Sequence, residues 1–105
     1  MQRALRFSTR AREELAALEA NPRATGILKQ VRKTLGLLET NLKHPGLRTH
    51  KFTSLQGAGG EEVFEAYAQN NTPGAYRIFW HYGPDETVAG KRIAILTILA
   101  ITPHP

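Results

Sequence analysis

The 105-residue chain contains no cysteine, one methionine and one tryptophan. The absence of cysteine excludes disulfide scaffolds, thiolate zinc sites and cysteine nucleophiles. Its longest apolar stretch, residues 93–101, falls far short of the roughly 20 residues of a membrane span. The opening Met1-Gln-Arg-Ala-Leu-Arg-Phe-Ser has no apolar signal-peptide core, so a cytoplasmic protein away from membranes is expected. The four histidines lack metal-ligand spacing, and no dense carboxylate cluster accompanies them, so neither a metal nor another cofactor is expected. Gly57 to Gly60 joins two strands rather than opening a helix, so it is no phosphate-binding loop.

What is present is basic and unevenly spread. Fourteen Lys and Arg against nine Asp and Glu leave a formal charge of +5. Residues 1–51 hold eleven Lys and Arg against four Glu, a net of +7, and residues 52–105 hold three against five acids, a net of −2. A polyanion such as RNA or DNA is drawn to the basic half, and salt weakens that attraction. A solvated basic helix face accounts for the same arithmetic. The length suits a single domain over residues 1–105.

Leu5 and Phe7 alternate with polar neighbours and predict a short strand. Ser8 or Thr9 supplies a helix N-cap, with Glu13 and Glu14 expected in the first turns. Ala11, Leu15 and Leu18 form that helix's buried stripe. Asn21-Pro22 opens a second helix with Ile27, Leu28, Val31, Leu35, Leu38 and Leu42 on one face, expected to stop by His44-Pro45-Gly46. Four strands follow, at 47–55, 62–69, 75–82 and 92–101. The last is apolar on both faces and therefore central. The order β-α-α-β-β-β-β implies an α+β fold, a helical hairpin packed on a mostly antiparallel four- to five-stranded sheet.

Read in order, Asn41-Leu-Lys-His-Pro-Gly-Leu-Arg, Lys51-Phe-Thr-Ser-Leu-Gln-Gly, Val63-Phe-Glu-Ala-Tyr, Tyr76-Arg77-Ile78-Phe79-Trp80 and Ile95-Leu-Thr-Ile-Leu-Ala-Ile, with a terminal His104, resemble the RelE/ParE superfamily of bacterial type II toxins. The likeness spans nearly the whole chain, and the tyrosine-arginine-aliphatic-x-aromatic strand is its most specific piece. It implies a toxin neutralised by a cognate antitoxin in a toxin–antitoxin hetero-oligomer. In the RNase branch it implies a metal-independent endoribonuclease that cuts mRNA on the ribosome. The gyrase-inhibiting ParE branch, or a weak relative that only binds antitoxin or nucleic acid, is the alternative.

The residues can be weighed by their chemistry. Tyr76, Ile78, Trp80 and Tyr82 should face the helices, leaving Arg77, Phe79 and His81 on the open sheet face. A forked, permanently charged guanidinium suits a phosphate that gains charge during phosphoryl transfer. The alternative for Arg77 is a cross-strand ion pair with Glu65. His104 titrates near neutrality and suits proton transfer. Arg48, His50 and Lys51 form a basic cluster suited to the RNA backbone, with Lys51 on the opposite strand face from Arg48 and His50. Glu65 matches a carboxylate of many relatives. Tyr67 falls where active RNases of the family carry Arg or Lys, and its ring suits stacking on a base. His81 reads as structural and His44 as solvent-facing.

Overall fold

The computed structural model describes residues 2–70 and 74–103. His104 lies outside the described residues. The elements run β1 (Ala4–Phe7), α1 (Thr9–Ala20), a 3-10 turn (Pro22–Ala24), α2 (Thr25–Thr40), a second 3-10 turn (Pro45–Leu47), β2 (His50–Gln56), β3 (Glu62–Tyr67), β4 (Tyr76–Tyr82), β5 (Glu86–Val88), β6 (Lys91–Ile93) and β7 (Ile95–Pro103). Five strands form one sheet in the order β1-β7-β4-β3-β2. Only the β1–β7 pair is parallel. The doubly apolar β7 is thus interior, as its composition requires. Among the described residues no helix is long and apolar enough to cross a membrane.

The alternation of β4 sorts the sheet into two faces. Ile78 and Trp80 join Val31, Leu35, Leu38, Ala66, Leu96 and Ile98 in the core beneath the helices. On the open face Phe79, Val63 and Ala100 form a smaller cluster, with Phe52 against it. Phe52 and Phe79 meet edge to face at 4.7 Å. The second cluster gives the open face a floor that water does not enter.

Helix α1 is fastened to β7 where that strand is irregular. Phe79 pairs with Ala100 but Trp80 with Ile98, so Leu99 is an extra residue, a β-bulge. Ser8 Oγ accepts from Ala11 N–H at 3.0 Å as the helix N-cap and donates to Leu99 O at 2.9 Å. Glu14 Oε1 accepts from Ile101 N–H at 2.9 Å. Side chains of α1 thereby satisfy backbone groups on both sides of the bulge. The first turn of α1 holds no acid, so Glu14 serves the sheet rather than the helix dipole. Replacing Ser8 by Ala removes a cap and a bulge donor together. The expected loss is about 1–2 kcal/mol, read as a lower urea midpoint at an unchanged slope.

Three boundaries differ from expectation. Helix α2 ends at Thr40 rather than near His44, and His44 Nδ1 instead accepts from Gly46 N–H, capping the second 3-10 turn. Leu47 belongs to that turn and is buried, so the strand begins only at His50. The 92–101 segment is broken at Ala94: Lys91–Ile93 leaves the main sheet and pairs with Glu86–Val88 as a two-stranded ribbon. Arg6 of β1 holds that ribbon through Glu86 at 2.7 Å.

At the β2–β3 turn, Glu61 Oε1 accepts from Gly59 N–H at 2.9 Å. Hydrogen bonds from the backbone N–H groups of Glu61 and Gly59, with a smaller contribution from the charge of His81, hold the Glu61 carboxyl below the ordinary carboxylate value of 4.5. Because the folded value is the lower one, this stabilisation is present above 4.5 and is lost as pH falls through the depressed value. Glu61→Gln should therefore lower stability at neutral pH, leave it little changed at acid pH where the carboxyl is already protonated, and so flatten the acid limb of the profile. Urea midpoints at neutral and acid pH check it.

Candidate functional site

Tyr67 and Arg77 are directly opposite on β3 and β4, Glu65 lies opposite Phe79, and His50 opposite Glu65 on β2. This register gathers four of the sequence-predicted residues on the open face, and Arg48 joins them from the turn before β2.

Glu65 lies at the centre and is wholly buried, 0% exposed. Its Oε1 is 2.7 Å from His50 Nε2 and its Oε2 is 4.0 Å from Arg77 Nε. A buried carboxylate costs several kcal/mol unless a cation accompanies it, on the order of the penalties known for buried ions, and here the Arg77 guanidinium does, with the His50 ring beside it. The ion pair expected as the alternative role for Arg77 is therefore present.

Arg77 is itself only 8% exposed. Its Nη1 donates to Gln69 O at 3.0 Å and to Tyr76 O at 3.3 Å. Its guanidinium carbon lies 3.7 Å from the centre of the Tyr67 ring, a cation–π contact worth about 0.5–2 kcal/mol. These contacts fix the plane of the fork through Nη1, and the buried Nε has no hydrogen-bond partner among the described residues.

His50 is half exposed. Its Nδ1 is 3.1 Å from Arg48 O while Nε2 faces Glu65. The ring therefore bridges the Arg48 carbonyl and the Glu65 carboxylate, one acceptor at each nitrogen. The ring also meets Tyr67 edge-on at 5.7 Å.

Arg48 precedes β2 instead of lying within it, as the C-cap of the 3-10 turn with a left-handed φ of 48°. That backbone turn carries its guanidinium to 5.0 Å from the Tyr67 ring, and Nη1 donates to Asn70 Oδ1 at 3.3 Å. Lys51 stands apart. It pairs with Phe64, whose side chain belongs to the helix face, and its Nζ reaches Glu62 at 3.5 Å. The basic cluster thus splits, with Arg48 and His50 on the site and Lys51 off it.

Gln69, whose carbonyl orients Arg77, and Asn70, which receives Arg48, were not singled out from sequence. The only signal was their position directly after the Tyr67 strand. Strand β7 ends at Pro103 opposite Tyr76, one step beyond the Arg77–Thr102 pair. His81 is buried, with Nδ1 2.9 Å from Tyr82 O. Among the described residues no group of three or more potential ligands is arranged to hold a metal ion.

Chemically the arrangement is an anion receptor. It presents an oriented guanidinium, a second guanidinium, an imidazole and a tyrosine ring, all backed by one buried carboxylate.

Neither a protein-family model nor a curated protein matches the chain. Among solved structures it resembles that of a YoeB dimer from Staphylococcus aureus, with a TM-score of 0.59 over all of both chains at 12% identity. The likeness is one of fold: two helices on a mostly antiparallel five-stranded sheet.

Proposed function

We propose that the chain is a type II toxin of the RelE-like kind, an endoribonuclease that cuts mRNA on the ribosome in the cytoplasm and is held in check by a cognate antitoxin. The observation that carries this reading is the convergence of Arg77, Arg48 and His50 around Tyr67 and buried Glu65 on the open sheet face. The fold shared with YoeB and the resemblance of the ordered segments support it.

In this mechanism Arg77 and Arg48 hold the scissile phosphate. The RNA 2′-OH attacks phosphorus, the P–O2′ bond forms and the P–O5′ bond breaks. His104 takes the 2′-hydroxyl proton, and His50 in its protonated form gives one to the leaving 5′-oxygen. Arg77 meets the charge that grows on the phosphoryl oxygens, a contribution of about 10²–10³ in rate for one oriented donor. Products are a 2′,3′-cyclic phosphate and a 5′-hydroxyl, with protons and bonds in balance. Tyr67 stacks on a base, and Lys51, on the opposite face, contacts RNA only at longer range.

One observation favours a second reading. The Tyr67 ring covers Arg77 and stands where active relatives carry a cation, an arrangement compatible with ParE-like inhibition of gyrase or with binding alone. Inducing the chain in a bacterium and mapping transcript 5′ ends separates them. New cuts in translated frames together with growth arrest are the expected result. Intact transcripts with a DNA-damage response and inhibited gyrase select the second reading, and a harmless chain that co-purifies with a neighbouring gene product selects binding alone.

A further inference from the structure

The helix side of the sheet carries a cleft of about 500 Å³ between the end of α2 and the rims of β1, β3 and β4. It is remote from the Arg77 cluster, because Phe64 and Trp80 point to the opposite face. Its wall is a joined set of aromatics. Phe64 stacks on Trp80 at 4.9 Å, and Tyr82 meets both edge-on at 5.5 and 5.0 Å. Tyr82 is 47% exposed, an unusual amount for a ring in such a cluster.

Two cations line the same cleft, Arg3 and Lys43. Neither makes an ion pair among the described residues, and no carboxylate is part of the lining. Arg3 is held in place from two sides. Its backbone N–H donates to Glu39 O at 3.0 Å, and its guanidinium lies 5.4 Å from the centre of the Tyr82 ring. Thr49 adds a hydroxyl to the lining. The C-terminal end of α2 carries only about half a negative charge, so two full cations exceed what the helix dipole needs. The volume lies within the roughly 300–1,000 Å³ of small-molecule sites.

We propose that this cleft binds a nucleoside monophosphate-like ligand, its ring against Tyr82 and Phe64 and its phosphate between Arg3 and Lys43. The exposed Tyr82 ring offers a flat base a stacking partner, and two cations without an ion pair among the described residues offer donors to a phosphate. A mononucleotide unites the two within the available volume. The site stands independently of the ribonuclease reading, since it shares no residue with the open face.

Trp80 is the chain's single tryptophan and lines the cleft, so its fluorescence and its indole N–H resonance report on the site alone. The full chain is titrated with AMP, excited at the red edge to avoid adenine absorption. A saturable change in both signals is expected. Adenosine should bind at least tenfold more weakly, and Arg3→Ser/Lys43→Ser should weaken AMP at least tenfold. Lys29→Ser/Arg32→Ser, which removes the same charge from the exposed surface of α2, should leave binding within twofold. A non-saturating response, equal loss in both double variants, or equal binding of adenosine would overturn the proposal. So would binding of an acidic aromatic peptide in place of AMP, which would make the cleft a protein-docking site.

Discussion

Replacing Arg77 by Ala is expected to abolish transcript cleavage, lowering it by at least about 10²-fold. The same change should also destabilise the fold, because the buried Glu65 loses its guanidinium partner. Removing one partner of a buried pair costs on the order of 3–5 kcal/mol. The 4.0 Å separation and the remaining contact to His50 place this pair at the lower end. Arg77→Lys separates the two effects. Lysine restores charge near Glu65 and so most of the stability. It lacks the planar fork that reaches Gln69 O, Tyr76 O and a phosphate together. Cleavage in that variant should stay at least tenfold below the parent. Melting curves beside cleavage rates read the split, and full activity in a stable Arg77→Lys protein would reduce Arg77 to a point charge.

Neutralising Glu65 should have the largest effect on stability. Glu65→Gln keeps the shape but leaves the buried Arg77 cation beside a neutral amide. The expected cost is about 3–5 kcal/mol, seen as a large fall in urea midpoint. The double variant Glu65→Gln/Arg77→Gln should be less destabilised than the two single losses added together, since the interaction counted in each is the same one. Additive losses would mean that the carboxylate and the guanidinium do not act as a unit. Function should fall with Glu65→Gln even where the protein remains folded, because His50 and Arg77 lose the carboxylate that positions them.

The alternation of β4 was legible in the sequence because a period of two needs no tertiary knowledge: Ile78 and Trp80 went inward and Arg77 and Phe79 outward, as the residues imply. The helical stripe through Val31, Leu35 and Leu38 was legible for a similar reason. The β5–β6 ribbon was not, since its strands have three residues each and Lys91–Ile93 merges without a break signal into the apolar run of β7. Within the site, residue types were legible but their joining was not. The approach of Arg48 to Tyr67 depends on a left-handed residue just before β2, and arginine carries no local signal for that conformation. Complete burial of Glu65 follows from the sheet register that sets His50 and Arg77 beside it, a pairing between distant segments. Lys51 shows how strictly one residue decides. A single step along β2 turns its ammonium to the other face, toward Glu62.

The charge asymmetry takes a sharper meaning from this layout. Arg77 is the sole Lys or Arg between Phe52 and Gly90, and it is the one placed against a buried carboxylate. The exposed cations of the first half supply long-range attraction, which salt screens. Arg77, under Tyr67 and nearly out of solvent, is placed to act at short range.

The central claim is that this open-face cluster cleaves RNA. Purified chain is added to ribosomes programmed with a defined mRNA, and the ends of any fragments are identified. The account predicts fragments bearing 5′-hydroxyl and 2′,3′-cyclic phosphate ends, at least tenfold fewer when Arg77→Lys protein of normal stability is used. Intact mRNA, fragments with 5′-phosphate ends, or undiminished cleavage by the Arg77→Lys protein would contradict it.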